Sequence, residues 1–194
     1  MQAISRSHRI AILLGAIVGA VLVQASGFAA SLNSNSSAVA LRGAMAESLT
    51  VSVAVSTVNF TLVPGSTVAG SAAIPITTTW LLGPSRTSIK LFGYFARSAA
   101  ALTDGYTTPD NIPSADVLGK VPTGTPTSYT AFSQTNAGFG GAAASLLLYT
   151  QAIALASHNF VGTRTDSLSL EIATPATLPA GTYTGTLTLK AEAI

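Results

Sequence analysis

Cysteine is absent from the 194-residue chain and histidine occurs only at His8 and His158. His8 sits in a leader-like N-terminus, so His158 stands alone in the rest. One histidine and no thiol exclude a His/Cys zinc site, a two-histidine metal motif and a cysteine nucleophile. A Ser-His-Asp triad is arithmetically available. Ser157-His158-Asn159 nevertheless has none of the glycine-flanked strand-to-helix context of a nucleophile elbow, and His158 reads as ordinary surface.

A glycosidase-like carboxylate pair would have to be drawn from Glu47, Asp104, Asp110, Asp116, Asp166, Glu171 and Glu192. Glu47, Glu171 and Glu192 fall among Ser/Thr positions of strand-like segments and read as solvent-facing. Asp104, Asp110 and Asp116 lie in an irregular stretch. Oxygen ligands on loops hold calcium in some proteins, but the EF-hand order of Asp/Asn, Gly and terminal Glu is missing, and turn formation is the default. Gly138-Phe139-Gly140-Gly141 lacks the Lys-Ser/Thr and following helix of a phosphate-cradling loop. The expectation is therefore a protein that is not an enzyme, with no catalytic, cofactor-binding or metal-binding residue and no cofactor.

Aromatic residues offer a binding chemistry instead. Tyr106, Tyr129, Phe132 and Phe139 all fall between positions 98 and 141, where exposed rings would stack on a glycan or pack against a partner. The other reading is a set of rings packed beneath a long loop.

The elements that would position these residues are strands. Leu49, Val51, Val53 and Val55 alternate with polar or small residues, and Val58, Phe60 and Leu62 carry the alternation to a turn at Pro64-Gly65-Ser66. Ile74, Ile76, Thr78, Trp80 and Leu82 share a face, with Trp80, the only tryptophan, as a core anchor. After Gly83-Pro84-Ser85, the run Ile89 to Phe95 is apolar on both parities, as a doubly covered strand is. Positions 96 to 141 contain Pro109, Pro113, Pro122 and Pro126, with short strand candidates at Ala115 to Val121 and Ser128 to Gln134. Ala144 to Ala154 reads as a buried strand, although Ala and Leu also suit a short helix. Leu168, Leu170 and Ile172 alternate with Ser167, Ser169 and Glu171. Beyond Pro175 and Pro179, Tyr183, Leu187 and Leu189 oppose Thr184, Thr186, Thr188 and Lys190. Several short strands with turn signals and no convincing helix predict an all-β sandwich or barrel.

At the other end, Arg6, His8 and Arg9 precede the apolar run Ile10 to Val23, followed by small residues at Ala25, Ser26 and Gly27, the order of a secretory signal peptide. Fourteen residues make a helix of about 21 Å, short of a hydrocarbon core of about 30 Å. The expected layout is a signal peptide over 1–25, a flexible extension over 26–46 and a β-sandwich domain over 47–194. The whole chain has nine Lys plus Arg against seven Asp plus Glu. Loss of Arg6 and Arg9 leaves seven of each, so nucleic-acid binding, which needs clustered basic residues, has no support. With charged residues at 8%, the surface favours association. The expected location is secreted, periplasmic or at the cell surface, with no membrane contact after cleavage. Within the extension, Val39, Leu41, Gly43 and Met45 share an extended parity, while Leu41, Met45 and Leu49 share a helical spacing; periodicity leaves both open.

The spacing Leu178-x-x-Gly181-x-Tyr183 resembles the tyrosine corner of immunoglobulin-like sandwiches. Ala180-Gly181-Thr182-Tyr183-Thr184-Gly185 with the strand after it resembles the secreted bacterial Ig-like subunits of the pilin and spore-coat type assembled by the chaperone and usher pathway. That resemblance implies an immunoglobulin-like β-sandwich lacking its last strand, completed by a neighbour's N-terminal extension, here Ser37 to Met45. It also implies a secreted or cell-surface structural or adhesive protein, with self-association or envelope proteins as partners. The alternative is a carbohydrate-binding module using the 98–141 aromatics. The absence of cysteine departs from many such subunits.

Overall fold

The computed structural model describes residues 36–106, 110–132 and 145–194. The leader, Phe139 and the Gly138 to Gly141 run lie outside them. The chain divides into two units, Met1–Gly43 and Ala44–Ile194. Residues 36–43 of the first unit, and Ala44 to Ala46 of the second, form neither of the elements the spacing allowed. Val39, Leu41 and Met45 are 82%, 90% and 79% exposed.

Among the described residues of the second unit there are eleven strands: β1 (Ser48–Val53), β2 (Thr67–Ala69), β3 (Ile74–Leu81), β4 (Ser88–Phe95), β5 (Leu102–Thr103), β6 (Asn111–Ile112), β7 (Val117–Lys120), β8 (Thr130–Ala131), β9 (Leu146–Ala152), β10 (Val161–Ala173) and β11 (Leu187–Ala193). The described residues are otherwise turns, coil and two 3-10 turns, at Ser114–Asp116 and Leu155–Ser157. The architecture is all-β and sandwich-like.

One sheet has the order β1-β3-β10-β7-β8, with β2 also on β10; the other has the order β11-β4-β9, and β5 and β6 form a hairpin. β10 organises the first sheet. Its Val161 to Leu168 pair antiparallel with β3, and Glu171 to Ala173 pair with β2, while Ser169 to Ile172 pair with β7 on the other edge. Asp166, Leu168, Leu170 and Ile172 consequently point inward and are buried. In the second sheet β4 is central, and both its faces are largely buried, as its two-sided apolar pattern requires.

Ile76, Trp80, Ile89, Leu91, Leu148 and Leu168 join residues of both sheets in one core. Trp80 donates its indole N–H to the Asn159 carbonyl at 2.9 Å, which satisfies the polar end of an otherwise buried ring. Within the Ala144 to Ala154 run, Leu146–Ala152 form strand β9, because β4 supplies a ladder that the local helix propensity has no means to match.

Two departures from the sequence pattern matter. The alternating stretch Val58 to Leu62 is not a strand: β1 ends at Val53, opposite Ile76 near the start of β3, and past that point no neighbour remains to form a ladder. Glu47, expected on a strand, lies just before β1.

Candidate functional site

A depression of about 730 Å³ opens along the seam between the two sheets. One rail is the segment 54–63, which brings Val55, Val58, Phe60 and Leu62 to the opening. The facing rail runs from Gly181 through Tyr183 and Leu187 to Leu189, and Ile74, Phe95, Val117 and Ile172 form part of the floor.

The first rail is coil and nearly without backbone partners. Ala54 N–H donates to the Pro75 carbonyl at 3.2 Å, the last bond to β3. Among the described residues, the backbone of 55–62 bonds only at Asn59, whose N–H donates to Ser71 Oγ at 3.0 Å and whose carbonyl accepts from Ser71 N–H at 2.8 Å. Val58 and Phe60 rest on Gly70, where an added Cβ would lie 2.5 Å from Val58 Cγ1. A side chain there would lift this rail.

The second rail is tethered from behind. Tyr183 donates its hydroxyl to the Pro179 carbonyl at 2.9 Å, four residues upstream, which folds the Pro/Gly turn onto the strand entrance. Desolvation, then the Asp110 and Asp104 carboxylates, push the Tyr183 phenol up, so it stays a donor. Thr103 and Thr184 exchange both backbone hydrogen bonds at 2.9 Å, fixing the rail to the β5–β6 hairpin. Within β11, Leu187 to Ala193 pair with β4, and no strand pairs with the other edge among the described residues. Leu187, Leu189, Ala191 and Ala193 reach the core yet remain half-buried.

Beyond the groove, the strands continuous with the two rails meet. Glu47 accepts from Gly83 N–H at 2.5 Å and from Arg86 Nη2 at 2.7 Å, with Arg86 Nε at 3.2 Å from both carboxylate oxygens. Arg86 Nη1 donates to the Ala193 carbonyl at 3.2 Å. This clip joins the entrance of β1, the β3–β4 turn and the end of β11. The Arg86 guanidinium first, and the Gly83 amide second, hold the Glu47 carboxyl down at about 2.

Among the described residues, the other acids and aromatics do not gather into a second site. Asp104 accepts from Tyr106 N–H at 3.2 Å, a turn bond of the expected kind. Asp166 is buried and forked by Arg164, with Nε to Oδ2 at 2.7 Å and Nη2 to Oδ1 at 2.9 Å, and Thr123 Oγ1 donates to it at 2.6 Å. Arg164 also lies 4.5 Å from the Tyr149 ring centre and donates to the Thr123 carbonyl, so the cluster pins the 121–126 turn to β10. Nothing in the sequence marked it beyond the Arg164-x-Asp166 spacing, which puts both side chains on one face of a strand.

Among the described residues no group of three or more His, Asp or Glu is placed to hold a metal ion. His158 is exposed in a left-handed turn, φ 49°. Phe132 is fully buried between the sheets, edge-on to Phe95 at 5.3 Å, and Tyr129 is half-buried with Lys120 Nζ 4.3 Å above its ring. Tyr106 alone of the described candidate aromatics is exposed. No helix among the described residues is long and apolar enough to cross a membrane. Comparison with known proteins finds no matching family model, curated protein or solved structure.

Proposed function

We propose that this chain is an exported structural or adhesive surface subunit without an active site of its own, an immunoglobulin-like sandwich lacking its last strand, which assembles by accepting an extended segment from a second copy. The observation that carries this reading is the seam: β11 has no strand partner on its outer edge among the described residues, and its Leu187 and Leu189 face the rail 54–63 across a groove with apolar side chains in its floor. An added strand would pair with exposed backbone groups while its alternate side chains fill the groove, the physics of β-strand addition. A small apolar ligand would leave those backbone groups unsatisfied in a drier environment.

The chain carries a matching occupant. Residues 37–45 place Val39, Leu41, Gly43 and Met45 on one parity, and their described apolar side chains are exposed. Nine residues of strand span about 30 Å at 3.3 Å per residue, the same reach as the nine-residue rail 181–189.

A second copy fits this role better than the chain's own arm. Glu47 is clipped beside Ala193, while the groove begins near Val53, some six residues or about 20 Å further along. An arm folding back would spend residues 41–46 covering that distance, leaving Leu41, Gly43 and Met45 outside its own groove.

Size-exclusion chromatography of the full chain across a concentration series tests the proposal. Oligomer ladders are expected for the intact chain and their loss on deleting residues 37–45. Ladders that survive the deletion would remove the arm as the donor, and a chain that stays monomeric at all concentrations would remove self-assembly.

A further inference from the structure

We propose that Glu47 and Arg86 are positioning residues of the groove: their clip fixes the spacing of its two rails before any strand arrives, and so sets how long a seated strand stays. The inference rests on the strand-acceptor reading and adds a control point to it. The geometry is that of two rails diverging from one fixed end. β1 and the end of β11 run side by side, yet they belong to different sheets and share no ladder. Their ends are joined through the β3–β4 turn, where Ser48 pairs with Leu81 and Ile194 exchanges backbone bonds with Ser88, and a side-chain network links them directly: the Glu47 carboxylate on Gly83 N–H and on the Arg86 fork, with the remaining guanidinium nitrogen on the Ala193 carbonyl.

The tethers along the groove itself each act within one rail. Asn59 with Ser71 and the Gly70 socket hold the first; the Tyr183 hydroxyl and the Thr103–Thr184 exchange hold the second. Breaking any of these loosens one rail against its own sheet. Breaking the clip leaves the two strands that lead into the rails joined at this end by the β3–β4 turn alone. A groove whose width must be re-established on binding gives up affinity to that ordering, and within one interface such losses fall chiefly on the dissociation rate.

Arg86 suits the task because its planar fork reaches a carboxylate and a carbonyl at once, which a lysine ammonium does not reproduce. The pair is about four-tenths exposed on both sides, so its contribution is modest and tunable rather than structural bedrock.

The test uses the full chain and a fluorescently labelled peptide with the sequence of residues 36–46. Association is followed on mixing and dissociation after a chase with unlabelled peptide, well below the melting temperature. Glu47→Gln is expected to speed release about fivefold, the scale of an exposed ion pair, with association unchanged. Arg86→Lys, which keeps the charge and loses the fork, is expected to do the same; it serves if Glu47→Gln fails to fold. Amide exchange of the empty protein should quicken at residues 191–193 in both variants and stay unchanged at 181–186. Unchanged release from variants whose 191–193 amides do exchange faster would overturn the positioning role and leave strand acceptance standing. No binding of the peptide to the folded wild-type chain would overturn both.

Discussion

Strands β10 and β11 are written in the same grammar and end in different states. Ser167-Leu168-Ser169-Leu170-Glu171-Ile172 and Thr186-Leu187-Thr188-Leu189-Lys190-Ala191 both alternate apolar with polar residues. In β10 the apolar set is buried, and the strand is paired on both edges. In β11 the apolar set is only half-buried, and the strand is paired on one edge. Alternation therefore decides which way side chains point, while the burial those side chains obtain depends on what covers the seam beside them. The contrast extends to the ion pairs: Asp166 is 1% exposed and held inside a closed turn, whereas Glu47 is solvated and bridges an open one.

The sharpest way to break the comparison is to truncate equivalent leucines. Leu168→Ala removes a side chain with no exposed surface, and a loss of about 2–5 kcal/mol in urea unfolding is expected. Leu189→Ala in the unassembled chain is expected to lose about 1 kcal/mol, since transfer energy follows the area buried and its cavity opens onto the groove. Saturating the groove with the 36–46 peptide should raise the cost of Leu189→Ala towards that of Leu168→Ala. Equal costs in the empty protein would mean that the seam is not under-buried.

Much of this was legible in residue types. The face Ile74, Ile76, Thr78, Trp80 and Leu82, the central apolar run 89–95 and the β10 alternation all depend on neighbours within the chain, so their local pattern and their final environment agree. The stretch 54–63 has the pattern and not the strand, because a ladder belongs to two segments and a sequence displays one at a time. The short strands β2, β5 and β6 went unseen for the converse reason: two or three residues carry no period, and their pairing comes from β10 and from each other. The Glu47–Arg86 clip spans 39 positions and follows no spacing rule. Of the two readings open for the 98–141 aromatics, Phe132 takes the packed one: Gly93 and Gly119 leave room for its ring between the sheets, each close enough that an added Cβ would press on it.

A smaller effect separates tethering of the β11 entrance from the strand itself. Tyr183→Phe keeps the ring and removes the hydrogen bond to the Pro179 carbonyl, for an expected loss of about 1 kcal/mol in urea unfolding. Because Pro179 is exposed, water can replace the donor, and the loss should sit at the lower end of that scale. Amide exchange should quicken at residues 181–184 and leave β10 untouched. A change spread over both strands would show that the corner braces the whole sandwich rather than one rail.

The least effect is expected from protons, and its sign is fixed by Glu47. Its carboxyl is held near 2 in the folded chain against an ordinary value of 4.5, with the Arg86 hydrogen bonds as the first cause. A carboxyl whose folded value is depressed contributes stability that is complete above its unfolded value and disappears as pH falls through the folded one. The clip should therefore hold undiminished at pH 6, weaken below about 4.5 and be gone near 2. Comparing the acid limb of stability in wild type and Glu47→Gln isolates this contribution, since the variant lacks the titrating group. The curves should converge as pH falls from 4.5 towards 2, and peptide release from wild type should accelerate over the same interval. Curves that stay parallel would place the acid response in other carboxylates, and the open seam would then be indifferent to pH at its clipped end.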